Sequence, residues 1–307
     1  SHNVNKFIFY FAYKFMRIFD CTTFYSEHLM LDVRFNILNE KVDKFIVVES
    51  LFSHSGKPKK FNFDIKNYQK FKDKINYIII ENEPEGLIVN QNLSSAEKRL
   101  NSLKRVEQSY DYMAKSLNDA EDNDLIILSD NDEIPNLNSK QFLNSKKNIF
   151  IFEQLFFYYK FNLHYDLMNW FGSKACRKKK LMSMPWLRNL KNKQYPFWRF
   201  DTLFSKTKYN NLEIIKDGGW HFTNLMTAEK LYEKMSNFGH HNEFDESGLK
   251  INDIKNKIEN REMFYNHFLD QTNSNKWKND YKLKIINENK LPLYVIQNKE
   301  KFKEWLA

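Results

Sequence analysis

The chain has 307 residues, which suits one large domain or two small ones, and its 42% hydrophobic and 16% aromatic content is typical of a globular protein rather than a disordered one. The net charge of +9 favours anionic partners, but the basic residues are scattered and match no zinc-finger, RNA-recognition or arginine-rich signature, so a nucleic-acid-binding protein is disfavoured. With only Cys21 and Cys176, a disulfide framework is excluded.

The most apolar part of the N-terminus is residues 7–16, FIFYFAYKFM. It is too short for a membrane-spanning helix, which needs about 20 apolar residues, and it predicts either a first strand that ends near residues 18–20 or a segment that lies on a membrane surface. Ser1 and His2 are typical of a cloning remnant, which leaves an upstream anchor open. We expect a cytoplasmic protein, with peripheral membrane contact as the alternative.

Residues 6–128 alternate between apolar strand patterns and helical patterns, which indicates βαβ units around a mostly parallel sheet. Strands are predicted at residues 44–49, 75–80 and 124–129, and helices at residues 27–42 and 97–117. The inward stripe of the second helix is predicted to contain Leu100, Leu103, Tyr110, Met113 and Leu117.

Acidic residues stand near the ends of three predicted strands, namely Asp20, Glu49 and Asp130. Ligands of open α/β sheets bind outside the carboxyl ends of the strands. If the strands are parallel, these three acids share one rim and contact the ligand. The sequence therefore predicts a Rossmann-like α/β fold whose binding site lies along that rim.

After residue 149 the pattern changes to aromatic, less regular strands, and Trp170, Trp186 and Trp198 follow. Aromatic rings can stack on sugars, although core packing is the commoner role of such residues. Beyond residue 227 the chain becomes helical and highly charged. We predict a mixed central sheet in a domain of residues 1–226 and a helical C-terminal extension, residues 227–307, packed on the same domain. The oligomeric state is not indicated.

A cluster of acids follows the fourth predicted strand in the sequence SDNDEIP. Asp130 and Asp132 are two residues apart and can face one cation, because Mg²⁺ and Mn²⁺ bind through one or two carboxylates plus substrate phosphates. Such a cation would neutralise charge on a departing diphosphate. The alternative is a solvated turn, since aspartates two residues apart are common by chance.

Two further features can extend this site. His221, within the sequence GGWHF, can approach a cation because glycines permit close backbone approach; a buried histidine in a turn is the alternative. The basic stretch KACRKKK can supply Arg177 to a diphosphate, with Arg188 and Arg199 nearby, although most lysines of such runs are solvated.

The order of four segments resembles glycosyltransferase family 17. These segments are FDCTTFYSEHLMLDVRFNILNEKVDKFIVVES, HSGKPKKFNF, DLIILSDNDEIP and GGWHF. The resemblance is colinear over roughly residues 17–245, and the combination is far more specific than any one segment. One helix departs from the family, because residues 107–112 read EQSYDY where a Gln-, Arg- and Asn-rich sequence is expected. The family includes enzymes that add the bisecting N-acetylglucosamine of N-glycans.

The resemblance implies a GT-A type fold and an inverting transfer from a UDP-sugar donor to a glycan or glycolipid acceptor. It implies N-acetylglucosamine as the sugar and Mn²⁺ or Mg²⁺ as the cofactor. By the same resemblance, Asp130, Asp132 and His221 lie at the metal, and Glu49 and Lys57 lie in the donor site.

An inverting transfer requires a base that accepts the proton of the acceptor hydroxyl. Glu153, in the aromatic strand after the acidic cluster, is the candidate because aromatic surroundings can raise a carboxyl pKa; Asp217 and Asp201 are alternatives. A glutamate satisfied by a neighbouring Lys or Arg is equally compatible with the pattern. Two other classes stay open, a non-catalytic carbohydrate-binding protein and a metal-dependent sugar nucleotidyltransferase.

Overall fold

The computed structural model describes residues 16–196, 198–237, 244–245, 247–269 and 274–307. Most of the aromatic N-terminal stretch, residues 7–15, lies outside these ranges. Within them, a single sheet of 11 strands runs through the molecule and hydrophobic clusters cover both of its faces. No helix of these ranges combines the length and the apolar character that a membrane crossing requires.

The first half of the sheet is parallel. It consists of β1 (Ile18–Thr23), β2 (Lys44–Ser50), β3 (Ile75–Ile80) and β4 (Leu125–Leu128). These strands lie in the order β3-β2-β1-β4, and each neighbouring pair is parallel. The carboxyl ends of all four strands therefore meet at one edge, which confirms the predicted Rossmann-like arrangement.

β1 differs from its prediction, because it begins at Ile18 instead of ending near that residue. The strand lies between β2 and β4, and its residues from Ile18 to Thr22 are buried. A central strand of a parallel sheet is covered on both faces, so it shows no alternation of apolar and polar residues. Asp20, at the middle of this buried strand, is thus enclosed by the fold.

Two helices connect the parallel strands, α1 (His28–Leu38) and α2 (Ser95–Lys115). In α2 the predicted stripe is confirmed at Met113 and Leu117, which are buried, but Leu100 and Leu103 are about half exposed. The inward side of the first turns is polar instead. There the buried Asn101 side chain forms hydrogen bonds with both backbone groups of one residue in the preceding loop.

The second half of the sheet is mostly antiparallel, so the whole sheet is mixed, as predicted. Its elements are β5 (Glu133–Pro135), α3 (Lys140–Asn144), β6 (Ile149–Tyr158), β7 (Leu163–His164), β8 (Trp170–Arg177), α4 (Met184–Arg188), β9 (Glu213–Ile215) and β10 (Gly219–Thr223). β8 lies antiparallel between β4 and β6 and joins the two halves. β10 pairs antiparallel with β5 and parallel with β6.

The C-terminal region contains α5 (Ala228–Asn237), α6 (Ile251–Glu259), β11 (Lys284–Ile285) and α7 (Leu293–Gln297). Leu231 and Ile254 pack with Phe156 of β6, whereas Val295 and Phe302 join the cluster that contains the buried side of α1. β11 pairs with β7, so the region is not solely helical. It shares two hydrophobic cores with the rest of the chain, and the domain boundary at residue 226 stays a prediction.

Candidate active site

The acidic loop, residues 130–132, connects β4 to β5 and lies at the carboxyl edge of the parallel strands. Ser129 N, directly before the loop, donates to Cys21 O of β1 at 3.1 Å. Phe222 N of β10 donates to Asp132 O at 2.8 Å. These hydrogen bonds tie the loop to β1 on one side and to β10 on the other, and they bring the SDNDEIP and GGWHF segments together.

A buried ion pair supports the loop from within the fold. Arg34 of α1 donates Nε and Nη2 to the two carboxylate oxygens of Asp20 at 2.7 and 2.5 Å, and both side chains are fully buried. Arg34 Nη1 donates to Glu133 O at 2.6 Å and to Asp130 O at 3.3 Å. The structure therefore does not bring Asp20 to the ligand-binding rim as the sequence predicted. Its carboxylate acts on the site through Arg34.

Glu133 is the polar centre of the site, although it is fully buried. Its Oε2 accepts hydrogen bonds from Asp130 N at 2.9 Å and Arg188 Nη1 at 3.2 Å, and its Oε1 accepts one from Trp170 Nε1 at 2.7 Å. Burial acts to raise the pKa of Glu133, but the charges of Arg188 and His221 and the hydrogen bond from Trp170 together outweigh it, and the pKa is lowered. Gly172 leaves room for this carboxyl group, because a side chain there would overlap it.

Asp130 forms the outer side of the acidic loop. Its Oδ2 accepts a hydrogen bond from Arg188 Nη2 at 2.6 Å, and its side chain keeps 51% exposure. Partial loss of hydration, and then repulsion from the carboxylates of Glu133 and Asp132, raises its pKa against the opposing charge of Arg188. Crowded carboxylates of this kind are the electrostatic setting of a cation site.

Asp132 and His221 face each other, with His221 Nε2 3.5 Å from Asp132 Oδ1. Burial acts to raise the pKa of Asp132, but the charge and hydrogen bonding of His221 lower it to about 2. The imidazole stacks on the ring of Phe156 and also contacts the ring of Trp170, and each of these ring centroids is 4.7 Å away. These rings hold the imidazole in place and direct Nε2 towards the acidic loop.

The residues of the loop fit a cation that arrives with a phosphorylated ligand. Across the described ranges, no three His, Cys, Asp or Glu side chains converge as a complete metal centre. Asp130 and Asp132 nevertheless supply carboxylate oxygens, and His221 adjoins Asp132. Mg²⁺ and Mn²⁺ need only one or two protein carboxylates where substrate phosphates complete the coordination. A partial protein ligand set is therefore what such a site requires.

Glu49 lies near the carboxyl end of β2 as predicted, but its buried carboxylate organises the loop that follows. It accepts hydrogen bonds from Asn62 N at 2.8 Å and the Tyr77 hydroxyl group at 2.8 Å, and it forms an ion pair with Lys59. Lys57 lies on the same loop with an exposed side chain. Of the two donor-site residues that the resemblance implied here, Lys57 can reach a ligand, whereas Glu49 shapes the loop.

Arg177 lies at the opposite edge of the sheet from the acidic loop. In the antiparallel pairing of β8 with β4, Arg177 is in register with Leu125, the first residue of β4, whereas the acidic loop follows the last residue of that strand. The guanidinium group donates to Asn123 O at 2.9 Å. The structure therefore does not bring Arg177 to the site, because antiparallel β8 carries it away from the rim. Arg188, at the end of α4, contacts Asp130 and Glu133 instead.

Two of the three acids predicted as the base, Glu153 and Asp217, lie beside other partners. Glu153 accepts hydrogen bonds from Asn169 Nδ2 at 3.0 Å and Lys216 Nζ at 2.7 Å. Burial acts to raise the pKa of Glu153, but these two contacts lower it, so the predicted rise in pKa is wrong. Asp217 is exposed in the turn before β10 and accepts a hydrogen bond from Asn136 at 3.0 Å.

Two supporting residues were missed in the sequence. Arg34 is four residues from Met30 and four from Leu38, and both of these are buried. A charged residue on the apolar face of the helix could therefore have indicated a buried arginine. Lys174 is buried although it belongs to the basic stretch, and its Nζ donates to Arg188 O at 2.8 Å. Burial lowers the pKa of Lys174 to about 8. No local pattern distinguished it from its solvated neighbours.

Two surface cavities, of about 610 and about 210 Å³, open beside α3, and neither is lined by the acidic loop or by His221. The identification of the candidate site depends on the convergence of charged groups at the carboxyl edge of the parallel strands.

A mixed α/β sheet whose parallel strands end at an acidic loop is typical of a Rossmann-like fold. A model of the family described as Glycosyltransferase family 17 matches residues 9–307, essentially the whole chain. The chain therefore belongs to glycosyltransferase family 17, and the family gives it the role of a sugar transferase.

Comparisons with individual proteins add little to this assignment. No curated protein matches the chain. Among solved structures, the chain is similar to the inositol-1-phosphate CTP transferase from T. maritima, with 12% identity over 72% of this chain and 96% of that chain, at a TM-score of 0.28. A likeness at that TM-score supports no conclusion about fold or function.

Proposed function

We propose that this protein is an inverting glycosyltransferase of GT-A type that moves a sugar, N-acetylglucosamine in particular, from a UDP-sugar to a hydroxyl group of a glycan or glycolipid. The supporting observation is the acidic loop itself, in a chain of family 17: Asp132 lies beside His221, and Asp130 is paired with Arg188 at the carboxyl edge of the parallel strands. A donor with two phosphates needs such a site, because it brings its own oxygens to a cation held by few protein ligands.

Asp130 and Asp132 are the proposed ligands of Mn²⁺ or Mg²⁺, and His221 is proposed to join them through the Nε2 atom that faces Asp132. When bound, the cation supplies Lewis-acid stabilisation of the departing diphosphate. Asp130 is the more exposed carboxylate and so the one that a donor meets first. His221 keeps Asp132 ionised and oriented, since it lowers the pKa of that carboxyl group.

In an inverting transfer the acceptor oxygen forms a bond to C1 of the sugar as the bond from C1 to the diphosphate oxygen breaks, and a base takes the hydroxyl proton. Glu153 is the proposed base, with Asp217 as the alternative. The lowered pKa of Glu153 keeps it ionised at neutral pH, so it can accept a proton, although more weakly than a carboxylate with a raised pKa.

Nucleotide binding tests the proposal. Thermal unfolding of the full chain with UDP, CDP or GDP, each with and without Mn²⁺, should show the largest rise in Tm for UDP with Mn²⁺. A ligand present at 100 times its Kd stabilises the folded state by about 2.7 kcal/mol, which corresponds to a shift of several degrees. An equal shift without Mn²⁺ would contradict metal dependence, and no shift with any nucleotide would contradict a nucleotide-sugar enzyme.

The same protein sample discriminates the two alternative classes. A carbohydrate-binding protein without catalytic activity would bind glycans and release no UDP from any donor. A sugar nucleotidyltransferase would release pyrophosphate from UTP and a sugar phosphate. Release of UDP that requires both a donor sugar and an acceptor supports the glycosyltransferase over both.

We further propose that the acceptor is presented at a membrane surface. The basic loop, residues 189–210 between α4 and β9, contains five Lys and Arg residues and a single acid, Asp201. It also exposes two large aromatic side chains, Trp198 at 62% and Phe204 at 90% exposure. Basic groups attract anionic lipid headgroups, and exposed aromatic rings insert at the interface. The loop directly follows Arg188, so lipid contact would place the candidate site near a glycolipid acceptor.

Vesicle sedimentation tests this membrane contact. The full chain should sediment with vesicles that contain phosphatidylglycerol and remain in solution with phosphatidylcholine alone. Replacing Trp198 and Phe204 by serine should weaken binding about tenfold or more, because each buried aromatic ring contributes about 1.5–3 kcal/mol. Leu293→Ser, at a site of 66% exposure on α7, is the matched control and should bind as the wild type does. Equal sedimentation with both lipids would refute the charge-dependent contact.

A further inference from the structure

Arg188 stands where the proposed cation would compete with it. Its Nη2 donates to Asp130 Oδ2 at 2.6 Å and its Nη1 to Glu133 Oε2 at 3.2 Å, so one guanidinium group spans two carboxylates of the same site. The partners differ in access, because the Glu133 side chain is buried and the Asp130 side chain is half exposed. Only the Asp130 end of this contact can be exchanged with a ligand that arrives from solvent.

The backbone that carries Arg188 is held independently of both carboxylates. Lys174 Nζ donates to Arg188 O at 2.8 Å and to Leu190 O at 2.6 Å, and the lysine is buried beneath the end of α4. An amine that bonds the last carbonyl groups of a helix stabilises its end. The guanidinium group therefore stays at the rim even when Asp130 takes another partner.

We propose that Arg188 is a resident counter-ion that exchanges partners during donor binding. In the ligand-free protein it neutralises Asp130. When Asp130 binds a divalent cation, Arg188 keeps its contact with Glu133 and turns Nη2 to the diphosphate of the donor, because a planar guanidinium group suits phosphate oxygens. This inference rests on the proposed function and deepens it, since it assigns the contact with the donor phosphates to Arg188 rather than to Arg177.

The exchange has a consequence that a merely structural arginine would not produce. Arg188 and the cation compete for Asp130, yet both attract the diphosphate. Removing the guanidinium group should therefore strengthen the binding of the cation alone and weaken the binding of the nucleotide. The two affinities move in opposite directions.

Isothermal titration calorimetry of the full chain separates the two effects, with Mn²⁺ alone as one titrant and UDP in saturating Mn²⁺ as the other. For Arg188→Gln we expect Mn²⁺ to bind about tenfold more tightly, because a competing unit charge beside Asp130 is gone. We expect UDP to bind about tenfold or more weakly, because charge-assisted hydrogen bonds to phosphate are lost. Arg188→Lys, which keeps the charge without the planar fork, should leave the Mn²⁺ affinity near that of the wild type and still weaken UDP.

Arg177→Gln is the matched control, because it removes an arginine that lies at the opposite edge of the sheet and donates to Asn123 O at 2.9 Å. It should change neither affinity. Weaker binding of both ligands by Arg188→Gln, or unchanged UDP binding, would overturn the exchange. If the glutamine variant does not fold, unchanged UDP binding by Arg188→Lys would overturn it as well. A wild-type chain that binds no UDP would refute the proposed function instead, while the titration with Mn²⁺ alone would still report the competition for Asp130.

Discussion

Replacing Asp132 by asparagine should lower the rate of sugar transfer by roughly 10²–10³-fold, the scale seen when one electrostatic contact to a developing charge is removed. The substitution keeps the shape of the side chain but removes the negative charge of the carboxylate, which His221 keeps ionised by lowering its pKa. Steady-state rates with saturating UDP-sugar over a range of Mn²⁺ concentrations measure the effect. UDP binding by this variant should no longer strengthen when Mn²⁺ is added.

Asp166→Asn is the control for loss of a carboxylate elsewhere. Asp166 pairs with Lys284 and Tyr281 at the surface, away from the acidic loop, and its replacement should leave the rate and its Mn²⁺ dependence unchanged. An Asp132→Asn protein that retains the Mn²⁺ dependence of the wild type would show that the cation binds at some other place.

Replacing Asp20 by asparagine should lower the free energy of unfolding by about 3–5 kcal/mol, because it leaves the charge of Arg34 buried without its partner. Urea denaturation followed by circular dichroism measures this loss. The folded fraction should also bind Mn²⁺ and UDP more weakly, since Arg34 orients the backbone carbonyl groups of Asp130 and Glu133. Stability and ligand binding should therefore fall together.

Glu83→Gln gives the comparison for an ion pair that solvent reaches. Glu83 accepts two hydrogen bonds from Arg105 at 2.7 and 2.8 Å, and both side chains are partly exposed. Its loss should cost about 1 kcal/mol or less. If Asp20→Asn costs no more than this control, the buried pair does not support the acidic loop in the way described.

The parallel half of the fold was readable from the sequence because its signals are local. A β-branched run such as KFIVVE marks β2, and the acidic motif directly after β4 marks the carboxyl edge. Once these strands are parallel, their ends must meet, so the place of Asp130 and Asp132 follows from topology. The prediction that His221 lies near the acidic loop depended on the family resemblance. Nothing in the local sequence indicates that β10 pairs with β5.

The roles of individual charged residues were less predictable. An acidic residue at a strand end gives the same sequence pattern whether its carboxylate faces a ligand or an internal partner. Asp20 and Glu49 are both buried acids with internal partners, Arg34 and Lys59. Arg177, in the basic stretch, and Arg188, close after it, were equally plausible ligands from the sequence, and only the antiparallel course of β8 separates them. The pairing of strands that are distant in sequence decides which charged residue reaches the site, and no periodic pattern in the sequence reveals that pairing.

The double pairing of β10 makes the imidazole of His221 and the acidic loop one stiff frame, because β5 lies on one side of that strand and β6 on the other. The basic loop, residues 189–210, lies outside this strand pairing. Lengthening or exchanging that loop would leave the geometry of the frame intact. If the frame binds the donor as proposed, a change in the basic loop can alter the choice of acceptor without disturbing the donor site.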